Sequence, residues 1–206
     1  MNINYMSLGY DCSPAATLRN LDFRTEALPF DWVISDLQII KNCIEDNFSN
    51  YHKNLRFSEK KTRLIDIYGF HFPHDYPFDN NNIDESRIGE GVIGEELDKQ
   101  IISDWKKYHE MVLEKYKRRI DRFYTYLNSD KPLIILCRNY PVNTINQFGS
   151  YLANKFKKSN IYFVASSKQK FKSNNIVTCD TEKKGNWNEA AIWAEGVDSI
   201  KKINNL

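Results

Sequence analysis

The chain has 206 residues, with 29 basic and 27 acidic side chains and a net charge of +2. So even a balance argues against a broad basic face for nucleic acid, and neither a run of about 18 apolar residues nor a basic-then-apolar leader marks a membrane span or an exported segment. A single domain over residues 1–206 is expected, with room for a proper core. Four cysteines, Cys12, Cys43, Cys137 and Cys179, lack the short paired spacings of zinc sites, and two lie in apolar strand-like runs. That usage fits a reducing, cytoplasmic setting.

Residues 3–8 predict a first strand, and the stretch SLGYDCSPA, Ser7 to Ala15, then reads as strand, tight turn and helix. Gly9 suits the turn, Pro14 suits the first helical turn, and the helix runs from about Ser13 to Leu21. Cys12 falls at its N-terminal end, where unpaired N–H groups and the helix dipole favour a thiolate. As a small hydrophobe at a strand end, the same residue would have no chemistry.

Next comes ALPFDWVIS, with one acid, Asp31, between Phe30 and Trp32. Ser35 reads as the N-cap of a second helix carrying Leu37, Ile40, Ile44 and Phe48 on one face. RLIDIY, residues 63–68, reads as a strand, followed by FHFPHDYP with His71 and His74. The polar segment to about Gly94 reads as a loop, a candidate lid. A long helix is expected from about Glu95 to Asn128, with Leu97, Ile101, Trp105, Tyr108, Val112, Tyr116, Ile120, Phe123 and Leu127 as its apolar stripe and the basic run KYKRRIDRF on its solvated face. His109, within it, reads as structural.

The C-terminal third is richer in β-forming residues. PLIILCRN, IYFVAS and NIVTCD read as continuous apolar strands, with a helix from about Val142 to Lys157 between the first two and a last helix from about Trp187 to Ile203. This pattern predicts a mainly parallel α/β sheet with helices on both faces and a nucleophile at the turn after the first strand.

Ligands of open parallel sheets bind outside the carboxyl ends of the strands. On this reading Cys12, His71 with His74, Arg138, Ser166 and Asp180 follow successive strands, so the reactive candidates share one edge. The chemistry that fits is acyl transfer: Cys12 attacks a carbonyl carbon and His74 takes the thiol proton. Asp31, Asp75 or Asp180 orients the imidazole, and N–H groups of the Gly9 to Ser13 turn bind the oxyanion. Arg138, with His71 and Asp180 nearby, would hold an anionic part of the substrate. A cysteine phosphatase wants five residues between Cys and Arg, and Cys12 and Arg19 have six. A metal site from Cys12, His71 and His74 is weakly signalled, and none is expected.

At SLGYDC, LPFDW and FPHDY, with KYKRRIDRF and LIILCRN further on, most of the chain resembles a bacterial family of papain-like cysteine peptidases. The resemblance implies a nucleophile at Cys12, its histidine at His74, and Asp31 as a further site residue. The placement of a nucleophile just after the first strand of a parallel sheet resembles that of SGNH-type esterases, with Cys in place of Ser. The first segment is also partly similar to capsule-biosynthesis acetyltransferases, which bind coenzyme A and carry a GNCQ-like motif where this chain has GYDC.

The leading expectation is therefore a Cys–His hydrolase acting on a peptide, acyl or glycan substrate without a cofactor. One alternative is a coenzyme A-dependent acetyltransferase of surface-polysaccharide biosynthesis, with Arg138 and the basic helix holding the cofactor's phosphates. Another is a non-catalytic ligand-binding domain that keeps the cleft.

Overall fold

The computed structural model describes residues 2–79, 88, 99–182 and 188–206. Four strands, β1 (Asn4–Ser7), β5 (Leu133–Arg138), β6 (Ile161–Ser166) and β7 (Ile176–Cys179), form a parallel sheet in the order β1-β5-β6-β7. Met6 lies beside Ile135, and Ile135 beside Phe163, so one row of apolar residues runs across three strands. Alternation along each strand divides the sheet into two apolar faces.

Tyr5, Ile134, Leu136 and Val164 pack with Leu18 of α1 (Ser13–Asn20) and with Trp193, Val197 and Ile200 of α5 (Ala190–Asn204). Met6, Leu133, Ile135 and Phe163 share the larger core with α4 (Val142–Phe156) and α3 (His109–Asn128). Each fully buried aliphatic side chain in these layers contributes roughly 1.5–3 kcal/mol. The helix after β1 thus covers one face and the helix after β5 covers the other. Such a reversal between neighbouring strands opens a crevice at their carboxyl ends.

The RLIDIY segment departs from the expected parallel strand. Only Leu64–Ile65 (β3) is extended, and it pairs antiparallel with Arg56–Phe57 (β2) and His71–Phe72 (β4) in a separate three-stranded sheet. The cause is Asp66, whose buried carboxylate accepts the backbone N–H groups of His52, Tyr68, Gly69 and Phe70 at 3.0–3.2 Å. Those bonds curl the chain back, and Gly69 supplies the left-handed conformation the turn needs, φ +98°. Burial pushes the Asp66 carboxyl up to about 6.

Two helix starts are also corrected. The N-cap of α2 (Leu37–Glu45) is Asp36, whose carboxylate accepts the Ile39 N–H at 2.8 Å, and not Ser35. Helix α3 begins at His109 after a 3-10 turn, Trp105–Tyr108, because the preceding residues bond across the chain: Ile101 N–H reaches Lys61 O at 2.8 Å and Ile102 N–H reaches Pro77 O at 3.1 Å. Leu97, Trp187 and most of the expected lid lie outside the described residues. Among the described residues no helix is long and apolar enough to cross a membrane.

Contact between α5 and the sheet depends on Gly196, where a Cβ would lie 2.6 Å from Val164 Cγ1 and 3.4 Å from Cys179 Sγ. Gly196→Ala is expected to lower stability by about 1–3 kcal/mol despite alanine's better helix propensity, measured as a shift in the urea midpoint.

Candidate active site

The turn after β1 is built by Asp11 more than by Gly9. The Asp11 Oδ1 accepts both the backbone N–H of Ser13, at 2.9 Å, and the Ser13 hydroxyl, at 2.7 Å. This caps α1 and places Cys12 at its N-cap. The left-handed residue of the turn is Tyr10, φ +107°, a conformation a bulky side chain adopts only when its surroundings hold it there. Gly9 serves close approach: a Cβ there would overlap Ser35 Oγ and touch Val33. The Tyr140 hydroxyl lies 3.0 Å from the Gly9 carbonyl and 3.1 Å from that of Ser35, tying the two segments together.

From that segment the chain reaches the histidine. Ile34 and His71 exchange both backbone hydrogen bonds at 3.0 Å, which docks β4 beside the segment that follows the Cys12 turn. Three residues later His74, 2 % exposed, brings its Nε2 to 3.2 Å from Cys12 Sγ. The two residues are 62 positions apart in the chain. Cys12 packs against Ala15, Ala16 and Trp32, and the Arg19 guanidinium lies 4.6 Å from the centre of the Trp32 ring.

The resting electrostatics differ from the thiolate the sequence suggested. Burial, reinforced by the Asp11 carboxylate, pushes the Cys12 thiol up to about 11. Burial and the positive field of Arg63 pull His74 down to about 4. The first turn of α1 gives its Ser13 N–H to a carboxylate, so the negative charge of Asp11 offsets the helix dipole at the sulfur. Near neutral pH the pair is thiol and neutral imidazole. When Nε2 accepts from the thiol, the ring proton sits on Nδ1, which is buried and has no partner among the described residues.

The three acids considered for that imidazole are engaged elsewhere. Asp31 is buried and accepts from Ser7 Oγ, from Arg24 at 2.5 Å and from the Leu28 N–H at 2.7 Å, so it holds the PFDW segment against β1. Asp75 accepts from the Tyr116 hydroxyl at 2.9 Å and lies 3.7 Å from Arg119. Arg119 belongs to the basic run expected on a solvated face, yet it is buried. Asp180 accepts the Glu182 N–H at 3.3 Å and lines a cleft of about 470 Å³ at the carboxyl ends of β5 to β7, with Asn139, Tyr140, Ser166 and Lys168.

Arg138 is likewise occupied. Its Nη1 donates to Asp11 Oδ2 at 2.6 Å and its Nη2 to Glu182, whose carboxyl it holds below the usual range. It bridges the turn that carries Cys12 to the end of the sheet, with its charge shared between two carboxylates. His71, on β4 three residues before His74, has its Nδ1 buried and without a partner among the described residues. Asp11, Glu182 and Arg63 were not singled out from sequence. The D-x-S spacing of an Asx turn at Asp11 was the one available signal.

An α/β fold with a thiol and an imidazole in contact at the carboxyl edge of a parallel sheet defines a class: a domain equipped with a Cys–His pair of the kind cysteine hydrolases use. Comparison with known proteins is specific about the family. A model of the family described as "Putative papain-like cysteine peptidase (DUF1796)" matches residues 3–147, and the chain belongs to that family. It is also 28% identical, over 152 residues and 69% of its length, to an uncharacterized protein, R408, of Acanthamoeba polyphaga mimivirus. The chain spans about 65% of that viral relative. No solved structure matches.

Because His74 is depressed below its unfolded value of about 6.5, the unfolded chain binds the extra proton between pH 6.5 and about 4. Stability from this residue is fully present above pH 6.5 and is lost as pH falls toward 4, at up to about 1.4 kcal/mol per pH unit. In urea titrations across that range, His74→Gln is expected to show a shallower acid loss than the wild type.

Proposed function

We propose that the protein is a cysteine hydrolase of the peptidase type, with Cys12 as nucleophile and His74 as general base. The observation that carries this reading is the 3.2 Å contact between Cys12 Sγ and His74 Nε2, made by two segments that nothing but the tertiary fold brings together. Both groups rest neutral, so the thiol proton passes to Nε2 as sulfur attacks the carbonyl carbon, and the imidazolium then protonates the leaving group. In this reading the backbone N–H of Cys12, at the N-terminus of α1, is the donor for the oxyanion. Water enters in the second half, with His74 again the base, and frees the acid.

Coenzyme A-dependent acyl transfer ranks second, because the cofactor's phosphates would have to displace Asp11 or Glu182 from Arg138. The same acyl-enzyme would serve either reaction, and the acceptor separates them.

The test uses p-nitrophenyl acetate, reading release of nitrophenolate and the intact mass of the protein. Acetylation mapped to Cys12, with release lowered at least about 100-fold in Cys12→Ala and in His74→Ala, is expected. His71→Ala should retain acetylation of Cys12. Equal turnover in the wild type and Cys12→Ala would overturn the assignment.

A further inference from the structure

Arg138 is neutralised by two carboxylates, and this moves the question of substrate charge to the other side of the nucleophile. In the three-stranded sheet, Ile65 pairs with both Arg56 and His71, so those two side chains share its face. Arg63 lies two residues before Ile65, so strand alternation puts it on that face too. Ser58 N–H donates to the Arg63 carbonyl at 2.9 Å, which continues the β2–β3 pairing as far as this residue.

Arg63 is half-buried, and the His71 Nδ1 is shut off from solvent. Among the described residues, none of the three side chains has an ion-pair or hydrogen-bond partner. The charge of Arg63 is felt at Cys12, at His71 and at His74. The other arginines of this region are engaged: Arg24 with Asp31, Arg119 with Asp75, and Arg138 with Asp11 and Glu182. A half-buried guanidinium with no counter-charge among the described residues is a ready partner for an anion.

We infer that the face formed by Arg63, His71 and Arg56 recognises a carboxylate or similar anionic group of the substrate, close to the carbonyl that Cys12 attacks. This rests on the reading of Cys12 as nucleophile. The face selects acidic acyl or peptide substrates, and Arg63 is its specificity-determining residue.

The experiment compares alkylation of Cys12 in the full chain by iodoacetate and by iodoacetamide, at neutral pH and low salt, using intact mass and peptide mapping. The reagents differ by a carboxylate in place of an amide. In both, the S–C bond forms as C–I breaks, iodide leaves and the thiol proton passes to His74. The iodoacetate-to-iodoacetamide rate ratio at Cys12 is expected to exceed that of free cysteine by about tenfold and to fall roughly three- to tenfold in Arg63→Gln. Arg63→Lys should restore most of it, and Lys131→Gln, before β5 at the opposite edge of the sheet, should leave it unchanged.

A ratio equal to that of free cysteine, with brisk iodoacetamide reaction, overturns this inference and leaves the nucleophile standing. An unchanged ratio in folded Arg63→Gln does the same. A Cys12 inert to both reagents overturns the nucleophile reading, and this inference falls with it. If Arg63→Gln does not fold, the wild-type ratio decides: it should drop toward that of free cysteine as ionic strength rises to about 1 M, where screening shortens to roughly 3 Å, and a ratio insensitive to salt overturns the inference.

Discussion

Two backbone hydrogen bonds, exchanged between Ile34 and His71 at 3.0 Å, are the constraint on which the site depends. They join the loop that follows α1 to the small antiparallel sheet, which among the described residues shares no strand pairing with the parallel one. Everything downstream of His71 is thereby placed. Pro73 and the short reach to His74 leave the imidazole little freedom, and its ring meets a sulfur whose own position is set by the Asp11 cap and the strained Tyr10 turn. Tyr140, just past β5, closes the arrangement by bonding both Gly9 and Ser35. The Ile34–His71 bridge thus brings the segment that carries His74 to the turn that carries Cys12.

Around this bridge the molecule places charges in an unusual way. Arg24 with Asp31, Arg119 with Asp75, and Arg138 with Asp11 and Glu182 are all largely or partly withdrawn from water. Such pairs contribute little net stability, because desolvation offsets most of their attraction, but breaking one leaves an uncompensated charge. Their effect is to fix geometry: Asp31 pins the PFDW segment to Ser7 of β1, and Arg138 pins the Cys12 turn, through Asp11, to Glu182 past the end of the sheet. The Cys12–His74 pair differs from them, since burial without a strong counter-charge keeps both members neutral. Under the proposed function, reactivity depends on proton transfer during attack and not on a standing thiolate.

Much of this was legible from residue order. The apolar runs at residues 133–138, 161–166 and 176–179 are strands, the helices starting at Ser13 and Val142 begin where expected, and the parallel sheet follows from continuous apolar strands joined by a helix. Cys12 and His74 stand out because each sits in a short stretch of turn residues beside an apolar run. RLIDIY misled because its β-branched composition is the same whichever sheet it joins, and the Asp66 carboxylate that ends it acts through four backbone donors no pattern displays. Arg119 misled because one buried arginine within a basic run looks like its solvated neighbours.

What the sequence by itself determined are local matters: which segments extend, which coil, and where thiol and imidazole chemistry is available. Hydrophobic period and turn chemistry act over a few residues, so they can be read there. Only the tertiary structure decided which histidine faces the sulfur, which acids are already engaged, and that Arg138 is neutralised while Arg63 stands free of a partner among the described residues. Those outcomes depend on burial and on charges brought together across tens of residues. Electrostatic energy follows distance in space, which residue order does not contain.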